Sequence, residues 1–298
     1  MLDQMKLPNA LLIGAQKAGT TSLFDWIAQH PQVFANSAIK DCPFFWHDAT
    51  FQKGFKFYDA FFEGASDEQV LLGGNVNDLF FENAPERIHQ LNPAMRLIIC
   101  LRNPVERAYS AYAYAVERGH ENRNFAEAIR QELAGCRYDN LIDRTQKEYI
   151  EHGRYWTQIQ RYLSLFVRSR LHVVFFEDIK EQPERVVKEV YRFLGIDDGF
   201  TPTLSKKNVT GNPAQFSRLN KAIFDYSLKQ PWWWAALKRI FSKELRYKLR
   251  RGLMSLQRKG GVAPPPPDPE TIKSLSDYFK EEVVAMELLA GRDLSHWK

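Results

Sequence analysis

Between Gly14 and Ser22 the chain reads Gly-Ala-Gln-Lys-Ala-Gly-Thr-Thr-Ser. Lys17 supplies a positive charge, and Gly19 lets the backbone come close to a bound group. Thr20, Thr21 and Ser22 add hydroxyl donors. Where such a stretch opens a helix, its unpaired N–H groups and the helix dipole attract an anion, phosphate above all. An ordinary strand-to-helix turn is the plain alternative, but the lysine, the glycine and the three hydroxyls coincide with the flanks a phosphate loop needs.

The Gly14-x-x-x-x-Gly19 spacing is that of the phosphate loop of nucleoside triphosphatases. That loop requires Lys directly after its second glycine, followed by Ser or Thr to hold magnesium. Thr20 stands in the lysine's place, and Lys17 lies inside the loop. No strand ending in a metal-binding Asp is evident. A second stretch, Leu101-Arg-Asn-Pro-Val-Glu-Arg-Ala-Tyr-Ser-Ala-Tyr112, places Arg102 where its guanidinium can fork onto a phosphate, with Ser110 two turns into the following helix. Alone, this stretch reads as a capped helix with a surface ion pair; beside the first motif it reads as a second phosphate site. A third, Lys40-Asp-Cys-Pro-Phe-Phe-Trp46, offers a carboxylate at Asp41 and, one residue beyond, an imidazole at His47. Both also read as solvated loop residues.

Elements must hold these groups. Asn9–Ile13 is a short apolar run that reads as a buried strand, and Thr20–Gln29 carries Leu23, Phe24 and Ile27 at helical spacing. Arg96–Cys100 and Leu171–Phe175 are two further strands. Helices are expected over Pro104–Glu117, Asn124–Leu133, Tyr155–Phe166 and Pro183–Leu194, the last stopped by Gly195. Residues 34–80 are rich in aromatics and carry no clear period. Strands alternating with helices predict an α/β fold, a central and mostly parallel sheet with helices on both faces. With 298 residues and 44% hydrophobic content the chain can bury a sizeable core. No apolar run reaches the ~20 residues of a membrane span. Cys42, Cys100 and Cys136 show neither metal spacing nor a disulfide framework, which suits a reducing compartment. The net charge of +5 suits an anionic ligand or surface.

Lys17-Ala-Gly-Thr-Thr-Ser22 resembles the 5′-phosphosulfate loop, Lys-x-Gly-Thr-Thr, of sulfotransferases that use 3′-phosphoadenosine-5′-phosphosulfate (PAPS). The Arg102 stretch resembles that family's 3′-phosphate element, Leu-Arg-Asp/Asn-Pro-x-Glu-Arg-x-x-Ser. Two such junctions suit a donor with phosphates on both ends of a ribose. Lys40–Trp46 resembles the Lys-Glu-x-x-Phe-Phe segment of Golgi-type glycan sulfotransferases and their bacterial relatives, whose Glu is the general base. Asp41 matches it, one methylene shorter. Arg258-Lys-Gly-Gly261 resembles the Lys-Gly-Arg loop that closes on the donor, and Glu177-Asp178, Phe193-Leu-Gly195 and the stretch from Glu270 to Trp297 also fit. The resemblance implies a P-loop-like sulfotransferase fold and in-line transfer from PAPS to a hydroxyl or amine, without a metal. It assigns catalysis to Lys17 and Asp41, with His47 the runner-up base. It assigns donor binding to Gln16, Lys17, Ala18, Gly19, Thr20, Thr21, Ser22, Arg102, Ser110, Lys259 and Gly260. One departure stands at Gly73-Gly-Asn-Val-Asn77, where glycan-acting relatives have Gly-Glu-Lys-Thr-Pro. Gly74 and Asn75 replace two charges, so a glycan acceptor is not carried over, and a lipid-linked or small-molecule alcohol stays open.

Residues 1–298 are expected to form one sulfotransferase domain with a helical insertion at about 215–258. From Lys238 to Lys259 there are nine Lys or Arg and one acid, Glu244, close behind Trp232, Trp233 and Trp234. A helical lid packed on the core is the plain reading of 229–251; contact with an anionic membrane is the sharper one. Pro264–Pro267 reads as a stiff spacer, and Asp268-Pro269-Glu270 as the start of a last helix running to about Ala290. No nucleic-acid motif is present. The alternatives to a sulfotransferase are a P-loop kinase or nucleotidase and a peripheral membrane-binding protein. The expected location is the bacterial cytoplasm, or else the Golgi lumen for a domain without its anchor.

Overall fold

The computed structural model describes residues 5–36, 39–40, 42–205 and 264–298. Asp41, Lys259, Gly260 and the basic, Trp-bearing stretch at 229–251, with the helical insertion at about 215–258, lie outside the described residues. The described chain runs β1 (Ala10–Gly14), α1 (Thr20–Ile27), β2 (Val33–Phe34), α2 (Asp48–Phe51), α3 (Phe55–Asp59), β3 (Val70–Gly74), α4 (Ala84–Leu91) and β4 (Arg96–Leu101). It continues through α5 (Pro104–Glu117), α6 (Phe125–Leu133), α7 (Leu141–Lys147), α8 (Tyr155–Leu163), β5 (Leu171–Phe175), α9 (Phe176–Glu181), α10 (Pro183–Leu194) and α11 (Pro269–Ala290). Two compact units result. Among the described residues one takes 5–107, 151–205 and 274–298, and the other 108–150 and 264–273.

The first unit holds a parallel sheet in the order β2-β3-β1-β4-β5. β1 is buried along its whole length, as a central parallel strand covered on both faces must be. From β1 the chain passes through α1 towards β2 and β3; from β4 it passes to β5 on the opposite side. Right-handed crossovers therefore set α1 on one face and α4 and α8 on the other. α10 returns to the face of α1, where the Tyr191 ring meets the buried His30 edge-on at 4.6 Å between centroids. Its buried Val186, Val187, Val190, Tyr191 and Leu194 form one helical stripe, and Gly195 ends it at φ 69°.

Among the described residues, the elements read from the sequence are present, each within a few residues. The structure adds β2, β3, α2, α3, α4, α7 and α9. β3 is the consequential addition. Its Val-Leu-Leu-Gly-Gly is too glycine-rich to signal a strand, and tertiary context makes it one: it pairs with β1 through Ala10–Leu72, Leu11–Gly73 and Leu12–Gly74.

In the second unit, Asn124 and Asn140 cap α6 and α7 by accepting from the N–H groups of Glu127 and Asp143, both at 2.8 Å. Glu121 is buried there. Burial alone would raise its carboxyl, but Arg123 at 2.6 Å, with further hydrogen bonds, brings it below its ordinary value.

His172 in β5 stacks on Phe193 at 5.1 Å, and burial, with repulsion from Arg168, lowers it from 6.5 to about 4. Between pH 6.5 and 4 the unfolded chain therefore binds a proton at His172 that the folded chain refuses. Stability from this residue is complete above pH 6.5 and falls as pH drops towards 4, by up to about 3 kcal/mol. A His172→Phe variant should show a shallower fall in melting temperature across that interval. An unchanged slope would mean His172 does not titrate there.

Candidate functional site

In an open α/β sheet, ligands bind beyond the carboxyl ends of adjacent strands whose crossovers run in opposite directions. Here those strands are β1 and β4. Leu12 lies beside Ile98 and Gly14 beside Ile99, and Ala15 N–H donates to Cys100 O at 2.7 Å. The turn from Gly14 to Gly19 thus runs along the end of β4, one residue pair short of Arg102.

The turn is shaped for an anion. Gly19 sits at the N-cap of α1 at φ 86° and has no side chain with which to cap it. The first N–H groups of α1 therefore start without a side-chain acceptor from that position. An added Cβ on Gly19 would come within 2.9 Å of the Phe176 ring and 3.2 Å of Ile179, so only glycine fits. Lys17 holds the left-handed conformation at φ 66°, uncommon for a non-glycine residue and concentrated at functional turns. Gln16, Lys17 and Thr21 are half-buried, whereas Ala18, Thr20 and Ser22 are buried. Thr21 meets the Nζ of Lys40, which donates to its Oγ1 at 3.2 Å.

Arg102 follows β4 directly. Its Nε and Nη2 both donate to Glu106 Oε2, at 3.1 and 2.9 Å, and its guanidinium lies 4.6 Å from the centroid of Phe176. Its carbonyl accepts from Tyr155 OH at 2.8 Å. The Asn103 side chain caps α5, accepting from Val105 N–H at 2.9 Å and Glu106 N–H at 3.3 Å. The ion pair of an ordinary capped helix is thus present, and what lifts Arg102 above that reading is its place beside the Lys17 turn. Ser110 lies buried in α5 within the second unit, and Arg102 in the first.

Phe176 gave no signal in the sequence. Leu101 pairs with Phe175 across β4 and β5, which sets Phe176 next to Arg102, and the same ring fills the space against Gly19. One aromatic ring therefore touches both the Lys17 turn, at Gly19, and Arg102. Knowledge of the strand order would have revealed it; periodicity could not. Arg292 forks onto Asp178, and Trp297 Nε1 donates to Glu177 Oε1 at 3.2 Å. These acids thus tie the last residues of the chain to the end of β5.

On the other side of the turn, Lys40 forms a parallel bridge with Gly74. Trp46 stacks on Phe81 at 4.7 Å and donates from Nε1 to Asn75 Oδ1 at 3.0 Å. His47 precedes α2, and its Nδ1 is 2.7 Å from Thr50 Oγ1. Burial and the Asp78 carboxylate push the Cys42 thiol up to about 12, so it is not a nucleophile at neutral pH. Asp41 lies between Lys40 and Cys42, outside the described residues.

Residues 7–231 match the sulfotransferase domain family. The chain is 31% identical over 202 residues to the human bifunctional heparan sulfate N-deacetylase/N-sulfotransferase 3, a match covering 64% of this chain and 22% of that protein. It is 27% identical over 207 residues to the mouse heparan sulfate glucosamine 3-O-sulfotransferase 5, covering 70% of this chain and 58% of that one. It thus spans about a fifth of the former and somewhat over half of the latter. Among solved structures, a sulfotransferase from Alicyclobacillus acidocaldarius superimposes with a TM-score of 0.69 at 24% identity, covering 98% of this chain and 99% of that one, which supports the fold. Strand order, the Lys17 turn and the family match agree: the chain belongs to the sulfotransferase domain family.

Proposed function

We propose that this protein transfers a sulfuryl group from PAPS to an acceptor hydroxyl or amine. The observation that carries the reading is the pair of anion-facing turns, at Lys17 and Arg102, on the adjacent ends of β1 and β4. Lys17 neutralises charge on the leaving 5′-phosphate, and Gly19, Thr20 and Thr21 hold it. Arg102, Ser110 and Lys259 hold the 3′-phosphate. The acceptor attacks sulfur in line with the bond from sulfur to the 5′-phosphate oxygen. That bond breaks, the acceptor's proton passes to the carboxylate of Asp41, and 3′,5′-adenosine bisphosphate leaves. Positioning and charge neutralisation supply the rate, and the scheme requires no metal. A cytoplasmic setting supplies the donor.

Calorimetry with 3′,5′-adenosine bisphosphate and with magnesium ATP tests the donor. Wild type should bind the first and not the second, and the reverse result overturns the reading in favour of a kinase or nucleotidase. Labelled PAPS offered with glycans, lipids and small alcohols then finds the acceptor. With that acceptor, Asp41→Asn should bind the bisphosphate within about threefold of wild type and lose at least about a hundredfold in turnover. Unchanged turnover would pass the role of base to His47.

A further inference from the structure

We infer that Lys40 is a second cation on the 5′-phosphosulfate of the donor, reaching it from the β3 side of the Lys17 turn; the inference rests on the reading of PAPS as donor. Three observations meet here. The amino group of Lys40 lies 3.2 Å from Thr21 Oγ1, at the first turn of α1, where the 5′ group is expected. Its backbone is held beside β3 by an isolated parallel bridge to Gly74, and its N–H donates to Asn36 O at 3.4 Å. It also lines a small recess with Leu12, Thr20 and Phe24, against the same turn.

The end of β3 itself has no charge to offer. A side chain on Gly74 would collide with the Leu12 carbonyl, and Asn75 is buried with its Oδ1 taken by Trp46 Nε1 at 3.0 Å and Asn77 N–H at 2.9 Å. A cation serving the turn from this side comes from the residue bridged to Gly74, and that residue is Lys40. With Lys17 within the turn and Lys40 at Thr21, two lysines serve one anion. A sulfuryl group in flight, with charge growing on the phosphate it leaves, is stabilised by such a pair.

The test separates the 5′ end of the ligand from the rest. Lys40→Met and Lys40→Arg are titrated with 3′,5′-adenosine bisphosphate and with adenosine 3′-monophosphate, which lacks the 5′-phosphate. Lys40→Met should lose about tenfold to a hundredfold in affinity for the bisphosphate, the span of one charge-assisted hydrogen bond. It should bind the 3′-monophosphate as wild type does, and Lys40→Arg should recover most of the loss. Equal weakening towards both ligands means a disturbed site, and no weakening towards either means no contact; each overturns the role of Lys40. Wild type that ignores the bisphosphate overturns the PAPS reading itself, and the role of Lys40 with it.

Discussion

Lys17→Ala should lower turnover by about a hundredfold to a thousandfold, and affinity for 3′,5′-adenosine bisphosphate by at least about tenfold, while the melting temperature stays within about 2 °C of wild type. The first figure is the usual cost of removing one preorganised group that faces growing negative charge. The second is smaller because the bisphosphate keeps the N–H groups of α1 and the guanidinium of Arg102. The stability expectation follows from the backbone. Lys17 is at φ 66°, and an alanine there keeps the Cβ and so keeps the same strain. Charge is removed without relaxing the turn. Lys17→Gly makes the useful contrast, since it removes the charge and the strain together and should raise the melting temperature. Rapid-mix kinetics with labelled PAPS and calorimetry read both quantities. Bisphosphate affinity unchanged in Lys17→Ala would place the donor elsewhere.

The turns at Lys17 and Arg102 were legible in the sequence because they are local. Gly14 to Ser22 carries its strand, its turn and its helix start within a dozen residues, and Arg102 repeats the arrangement at the end of β4. The contributions of Phe176 and Lys40 were not legible, for a physical reason. Each reaches the site from another strand edge, Phe176 because β5 lies beside β4 and Lys40 because its segment bridges to β3. Sheet order is a long-range property that residue spacing does not encode. β3 stayed hidden for a related reason. Its two glycines depress strand propensity, and it exists because β1 and β2 pair with it on either side.

The same contrast explains the acceptor side. Gly74 and Asn75 read in the sequence as two charges lost from the family pattern, so a glycan acceptor was not carried over. The structure gives both residues work. Asn75 anchors Trp46, whose ring is stacked on Phe81, so the segment after Lys40 is pinned by an amide where relatives have a lysine. Gly74 lets β3 lie close to β1. The aromatic wall that follows, with Phe44 stacked on Tyr58 at 4.4 Å, is packed from inside by this segment. The proposed acceptor therefore has to be found by assay and not taken from the heparan sulfate relatives.

Restoring the family's glutamate at position 74 should therefore unmake the edge and improve nothing. A Cβ at Gly74 would run into the backbone carbonyl of Leu12 and come within 3.1 Å of its N. Both atoms belong to β1, the central strand, and cannot swing aside as the end of a flexible side chain would. Either β3 withdraws from β1 or the strands shear, and overpacking against backbone that cannot yield costs about 3 kcal/mol, the top of the usual range. At ~2.1 cal/mol/K of unfolding entropy per residue, that is a fall of about 5 °C in melting temperature. Because the collision is at Cβ, Gly74→Ala should cost as much as Gly74→Glu, and adding Lys at position 75 should rescue neither. Gly54→Ala supplies the control. That glycine is at φ 76° and ψ 170°, a region almost confined to glycine, with nothing within 4 Å of an added Cβ, so its cost is backbone strain alone, about 1–3 kcal/mol. A Gly74→Glu protein that melts with wild type would show that β3 does not approach β1 this closely. The loss of the two family charges would then need an explanation other than steric exclusion.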